Sequence, residues 1–513
     1  GRNYSTPTDT CGPDRPTRRS KRVAHLGVDP IAVVVAAEVA VVRPGEDIHS
    51  EADCRVLHGV PVDPGSNQAA TTTERLADYA HRLAPEDLPT ATVEAVKRCL
   101  LDLIGAATAG APSQAARLAR RSAVRLTANG AADLWFDGIR RNAAGAAFAN
   151  SAAASCLDID DGHRAAGGHP GAAVIPAVLA VGQELNAGWP EMLAAIVVGY
   201  DVGVRVAAAR DFAALDTLST GRWCAYGAAA AAARLRRLTR RQTAEAMALA
   251  GVLSPGLSAA GYSRFMGNHA KEGIPWATLT GLWAADLAAE GFTGPLDILD
   301  HPQYYDAGAI RAGLGERFAV DGVYFKPYAC CRWIHAALDG VLDLIRRHNL
   351  PVREMASIEV HTFERALRLN NYPDPDTLES AQYSLPFCLA AGALEGTAGL
   401  LPMQERLLHR PDLVALAGRV ALQVDPEIDA LFPECAAARV VIRTEKRCVE
   451  TVCRHPLGDP ANPMGRELLQ EKFRHLTEGL LSQSRQEKLI AAVWSLPTLG
   501  PEALYGCLAE PIG

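Results

Sequence analysis

Between Leu157 and Gly171 the chain gathers three carboxylates and two histidines, as Leu157-Asp158-Ile159-Asp160-Asp161-Gly162-His163-Arg164 and then Gly167-Gly168-His169-Pro170-Gly171. The glycines let backbone approach a ligand, and the stretch joins two Ala-rich segments, so it suits acid–base work. A calcium loop would need oxygen ligands at alternate positions and a closing Glu, which is missing. A helix cap would need one Asp, not three. His169 is the best acid–base candidate, because imidazole titrates near neutrality without help. Two further stretches each hold a lysine: Gly267-Asn268-His269-Ala270-Lys271-Glu272-Gly273 and Tyr324-Phe325-Lys326-Pro327-Tyr328-Ala329-Cys330-Cys331.

Lysine is scarce here. Only seven of the 51 basic residues are Lys, in a chain rich in Ala and Arg. Such a bias places Arg wherever any cation will serve, so a lysine off a solvated helix face is there for its compact, titratable amine. Lys97, Lys472 and Lys488 sit on amphipathic helices and read as solvated. Lys326 sits among aromatic residues, where burial alone disfavours its charge and an anionic ligand would restore it.

Other chemistries lose their main support. The chain has no GxxxxGK[ST], no GxGxxG after a strand, no GxSxG and no HExxH. Its twelve cysteines include no CxxC pair and no metal-spaced His, which reads as reduced thiols of a cytoplasmic protein without disulfide framework or metal centre. The net charge of −7 argues against a nucleic-acid partner. No apolar run approaches the ~20 residues of a membrane span.

The elements that must hold these groups are mostly helical. Leu76, Tyr79 and Leu83 open an amphipathic segment, and Val93, Val96, Leu100, Leu101 and Ile104 continue at helical spacing up to the glycines at 105 and 110. Ala-rich helices are expected at about 144–157, 172–187, 190–209, 225–238, 240–251 and 275–290, with no alternating strand pattern before residue 320. After Asp321 the texture becomes mixed: a helix from Ile334 to Ile345, a strand from Ile358 to Phe363, a helix from Leu378 to Leu394, and short strands at Val420–Val424 and Val440–Ile442. Helices return at about 466–480 and 484–495. The first seventy residues differ in composition and read as a poorly ordered extension.

The runs LDIDDGHRAAGGHPGAAVIPAVLAVGQ, HAKEGIPWATLTGLWAADLAAEGFTGPLDIL and YFKPYACCRWIHAALDG occur in that order, with SAQYSLPF at 380–387, DPEIDALFP at 425–433 and GDPANPM at 458–464. From about Thr73 onward the chain thereby resembles the MmgE/PrpD family, which includes 2-methylcitrate dehydratases, cis-aconitate decarboxylases and iminodisuccinate epimerases. The resemblance implies a mainly α fold, a large all-helical domain with an inserted smaller α/β lid, in a homodimer. It implies a site between domain and lid, a small carboxylate substrate, and neither metal nor organic cofactor. The expected division is an extension at 1–72, the helical domain at 73–322, the lid at 323–453, and helices at 454–513 that return to the first domain.

Carried onto this sequence, the family's catalytic groups fall on Asp158, His169, Lys271 and Lys326. Gly162 stands where the decarboxylase pattern has a threonine, Arg222 and Cys331 where it has histidines, and the loop to His169 is one residue longer. These departures point away from decarboxylation of cis-aconitate. Gly162, His163, Arg222, Cys331 and His335 are the expected substrate contacts. The implied activity is a lyase that removes a proton beside a carboxylate of a citrate-like acid, with loss of water. An epimerase or isomerase would use the same base and cations and remains the alternative; a catalytically inactive binding protein is the third reading.

Overall fold

At Gly199 and Gly227 two helices come so close that a β-carbon on Gly227 would lie 2.3 Å from the Gly199 carbonyl oxygen. This is how an alanine- and glycine-rich sequence builds a core: small side chains bring helix backbones together instead of filling space between them. The computed structural model describes residues 69–257 and 268–512, so the expected N-terminal extension lies outside the described residues apart from its last few. The helix Thr72–Arg82 opens with a capping box between Thr71 and Glu74. The long Thr90–Gly110 follows, and then Ala143–Ser155, Gly171–Leu185, Trp189–Ala208, Cys224–Leu235, Arg240–Leu253 and Ile274–Ala289 pack around one large core. The fold is mostly helical.

A second hydrophobic core is centred on a four-stranded sheet. Its order is Val420–Val424, Met355–Thr362, Ala438–Thr444, Cys448–Cys453; the first pair is parallel and the others antiparallel. Along Met355–Thr362 the side chains of Ile358, Val360 and Thr362 are buried at every second position, as a half-covered strand requires. The helix Arg332–His348 lies on this sheet, where Gly340 permits close approach: a β-carbon there would stand 2.9 Å from Val440. Residues 68–513 cluster as one compact unit.

Two connections place the chemistry. Gly162–His163 pairs with Val323–Tyr324, which ties the acidic loop to the segment bearing Lys326. From below, the helix Arg466–Thr477 packs on Thr90–Gly110, and Lys472 donates to Asp102 (2.5 Å) and to the Ile159 carbonyl (2.7 Å).

Several expectations need correction. Lys472 is buried in that ion pair rather than solvated; it shares a helical face with Leu469, Phe473 and Leu476, so its own spacing puts it inside. Lys97 is also buried, paired with Glu94 and lying over the Trp494 ring. Lys488 is exposed. The expected helix Leu378–Leu394 is two, Leu378–Ala381 and Leu385–Glu395. Pro386 has no N–H to offer the Gln382 carbonyl four residues back and its ring crowds that position, so the helix ends there, and Ser384 re-caps the chain ahead of Pro386 by accepting from the Phe387 amide. Among the described residues, three two-residue strands precede residue 320, too short to show alternation. The ten described cysteines are unpaired; Cys448 is exposed and three others half-buried, so the expectation of buried thiols holds only in part. Among the described residues, no helix is long and apolar enough to cross a membrane.

Candidate functional site

Asp158 follows the end of the helix Ala143–Ser155 with φ at +54°, and Lys271 precedes the helix Ile274–Ala289 with φ at +51°. Left-handed backbone is uncommon for non-glycine residues. These two strained residues meet. Lys271 Nζ lies 2.5 Å from Asp158 Oδ1 and donates a second hydrogen bond to the Tyr383 hydroxyl at 2.9 Å. Lys326 Nζ, fully buried, stands 3.1 Å from the other Asp158 oxygen with no hydrogen-bonded partner among the described residues. Burial pushes the Asp158 carboxyl up, but Lys271 and then Lys326 overcome this and hold it far below the usual carboxylate range. Burial likewise opposes the Lys271 charge, and Asp158 overrides it to keep this amine above its ordinary value.

His169 completes the cluster. Its Nδ1 lies 3.0 Å from the Asp161 carbonyl, which can only accept, so Nδ1 is the donor and Nε2 is the atom free for proton transfer. Nε2 points to Asp158 Oδ1 at 3.4 Å and Glu272 Oε1 at 3.9 Å, while Asp160 Oδ2 stands 3.2 Å from Nδ1. Burial works against protonation, yet Asp160, ahead of Glu272, raises the imidazole above its ordinary value. Thr220 braces the group: its hydroxyl accepts from the His169 amide (3.1 Å) and donates to Glu272 Oε2 (2.6 Å). Asp161 faces away, accepting from Tyr200 and from Gly171 N at the start of the next helix. Burial, with Asp102 and Asp160 nearby, raises it to about 7 despite the Tyr200 hydrogen bond.

A cavity of about 310 Å³ opens over this cluster. His169, Lys271, Glu272 and Tyr383 line it, with Cys331, Arg332, Arg164 and Tyr324. Asp158 and Lys326 are not among its described lining residues; they lie behind Lys271 and His169.

The expected substrate contacts scatter. Cys331 lines the cavity. Gly162 does not, but its lack of a side chain has a use: a β-carbon would fall 2.4 Å from the Tyr324 ring, so this ring occupies the space a threonine would take. Burial and Arg164 hold His163 down to about 4. His335 is fully buried; it accepts from Arg332 at Nδ1 and donates to the Cys330 carbonyl, and burial, then Arg332, keep it far below its ordinary value. Its contact is with the cavity-lining Arg332, not with the cavity. Arg222 is half-buried and outside the described lining. Glu272, Tyr383 and Arg332 are site residues the sequence reading passed over, although each adjoins or lies within a motif it had singled out.

Asp158, His169 and Glu272 offer ligand atoms within 4.8 Å of one another, a spacing that could hold a metal ion. The charge balance opposes it, since Lys271 and Lys326 already compensate Asp158 and a divalent cation would face both amines. Activity should therefore survive exhaustive chelation. Loss on EDTA treatment, restored by a divalent metal, would refute this.

The MmgE/PrpD N-terminal domain matches residues 74–312 and the MmgE/PrpD C-terminal domain residues 328–497. The chain is similar to the cis-aconitate decarboxylase of Aspergillus terreus (strain NIH 2624 / FGSC A1156), 27% identical over 472 residues that cover 85% of this chain and 95% of that protein. It is 25% identical over 476 residues to the cis-aconitate decarboxylase-like protein oryM of Aspergillus oryzae (strain ATCC 42149 / RIB 40), covering 84% and 96%. To the cis-aconitate decarboxylase of Homo sapiens it is 25% identical over 472 residues, covering 83% and 92%.

Proposed function

The chain belongs to the MmgE/PrpD family, and from that premise we propose that it is a lyase of small polycarboxylic acids that ionises a C–H bond beside a carboxylate and expels water. The observation that carries this reading is the convergence of Lys271 and Lys326 on one carboxylate beside His169 Nε2. Taking a proton from carbon builds enolate-like charge on the adjacent carboxylate, and preorganised cations in a water-poor site stabilise that charge as it forms. Lys271, which lines the cavity, meets it directly; Asp158 holds Lys271 in place, with Lys326 behind. His169 Nε2 takes the proton from carbon and returns it to the hydroxyl leaving from the neighbouring carbon, so a double bond forms and water departs. Residues 323–453 act as a lid over the helical domain at 73–322. Support comes from the cavity lining, which draws His169 and Lys271 from one part and Cys331, Arg332 and Tyr383 from the other.

Decarboxylation is the second reading, favoured by the activity named for the relatives. It uses the same enolate, formed by loss of CO2 and protonated by His169. Gly162 and Cys331 speak for the first reading. Incubation with citrate-like acids in D2O, followed by NMR and mass spectrometry, separates the two: an alkene formed with loss of water supports dehydration, and loss of CO2 supports the second. Deuterium exchange at unchanged formula would indicate epimerisation and overturn the lyase assignment.

A further inference from the structure

The cavity lining combines two unlike sets of residues. Its floor is ionic: His169, Lys271 and Glu272, and beside them Arg164 and Arg332, which share the single carboxylate of Asp459. Two guanidinium groups on one acid leave cationic charge facing the cavity, fit for a ligand carboxylate. A second set of lining residues is apolar: Phe212, Leu218, Trp333, Leu369, Phe432 and Pro433.

That apolar lining is braced rather than loose. Trp333 meets Phe432 edge to face with centroids 5.8 Å apart, and Phe432 stacks on the fully buried Phe363 at 4.6 Å. Arg365 donates to the Phe212 and Leu215 carbonyls, pinning the loop that carries Phe212 and Leu218. A compact acid made only of carboxylates and hydroxyls would fill the floor and leave this apolar lining wet. Covering apolar surface is favourable in proportion to the area removed from water, so these residues reward a ligand that brings apolar surface of its own.

We propose that the substrate is a small polycarboxylate bearing an apolar arm of several carbons, with its carboxylates on the Lys271–Arg164–Arg332 floor and its arm along the Leu218–Leu369–Phe432 wall. As a statement about turnover this rests on the lyase reading; as a statement about binding it does not. The first test is therefore binding. Succinate, butylsuccinate and hexylsuccinate lack a leaving hydroxyl and can be titrated calorimetrically into the full chain. Affinity should rise about three- to fourfold per added methylene until the wall is covered, so butylsuccinate should bind at least ~10-fold tighter than succinate. A flat or falling series overturns the proposal. Leu369→Asn should flatten the series, and a slope unchanged by it would also overturn the proposal, because the arm would then lie elsewhere.

Turnover of citrate and its alkyl-substituted analogues separates this inference from the lyase reading. A rising binding series with no acid turned over would sink the lyase and leave the ligand class standing. Turnover of citrate with a flat series would do the reverse.

Discussion

Replacing Lys271 by methionine is expected to lower kcat/KM by roughly 100- to 1,000-fold, the scale of removing one positioned donor from a developing oxyanion. The protein should remain folded, because methionine keeps most of the volume and Asp158 retains Lys326 at 3.1 Å and His169 at 3.4 Å. Removing one member of a buried pair is most damaging when the other is left uncompensated, and here it is not. Lys326→Met should also lower kcat/KM, by at least ~100-fold, although Lys326 stands behind Asp158 rather than at the cavity. Without it Asp158 has one amine left, and Lys271 is gripped more tightly just when it should turn to substrate. Lys326→Arg should rescue little, since a guanidinium does not fit the fully buried space of the amine. Near-normal turnover in a folded Lys271→Met protein would mean that the site stabilises no anion there, and the proposed chemistry would fail.

His169→Gln should cost ~100- to 10,000-fold in kcat, the usual worth of a positioned acid–base group. The pH dependence is the sharper readout. Asp160 and Glu272 raise His169 above its ordinary value against the effect of burial, so the imidazolium persists to a higher pH than in a free histidine. A base must first lose that proton. As pH increases, kcat/KM should therefore climb along a limb centred above ~6.5 and then level off, and His169→Gln should abolish this limb. Stability runs the other way. A group whose folded pKa is raised contributes stability that is complete below its unfolded value and is lost as pH rises through the folded one. A limb centred below ~6.5, or one that survives in His169→Gln, would remove His169 from the proton-transfer role.

Much of the helical architecture could be read in advance because periodicity reports burial directly. The expected 172–187 and 275–290 became Gly171–Leu185 and Ile274–Ala289. The strand Cys448–Cys453 was missed: its residues alternate only between exposed and half-exposed, so it has no buried face to announce it. Tyr383 was lost for a different reason. Reading 378–394 as one helix hid the break that lets its hydroxyl reach Lys271. Asp158, Lys271 and Lys326 are far apart in the chain, and no local pattern says that they touch; only the family resemblance joined them, and it could not say that Lys326 would stand behind Asp158. The apolar part of the cavity lining was invisible for the same reason, since Leu218, Leu369 and Phe432 are unremarkable apolar residues until the fold brings them to one cavity.

The strut beneath the acidic loop has a consequence for how the protein comes into being. Lys472 reaches the Ile159 carbonyl from 313 residues further along the chain, and the same amine partners Asp102. A chain leaving the ribosome N-terminus first can assemble its alanine-rich helices long before that amine is made. Until then Asp102 lacks its cation; in the finished fold burial is the leading influence that raises its pKa, even with Lys472 in place. The acidic loop gains this support only once the chain has been made as far as Lys472. The support of the acidic loop thus falls to a late-made helix that carries none of the reacting groups.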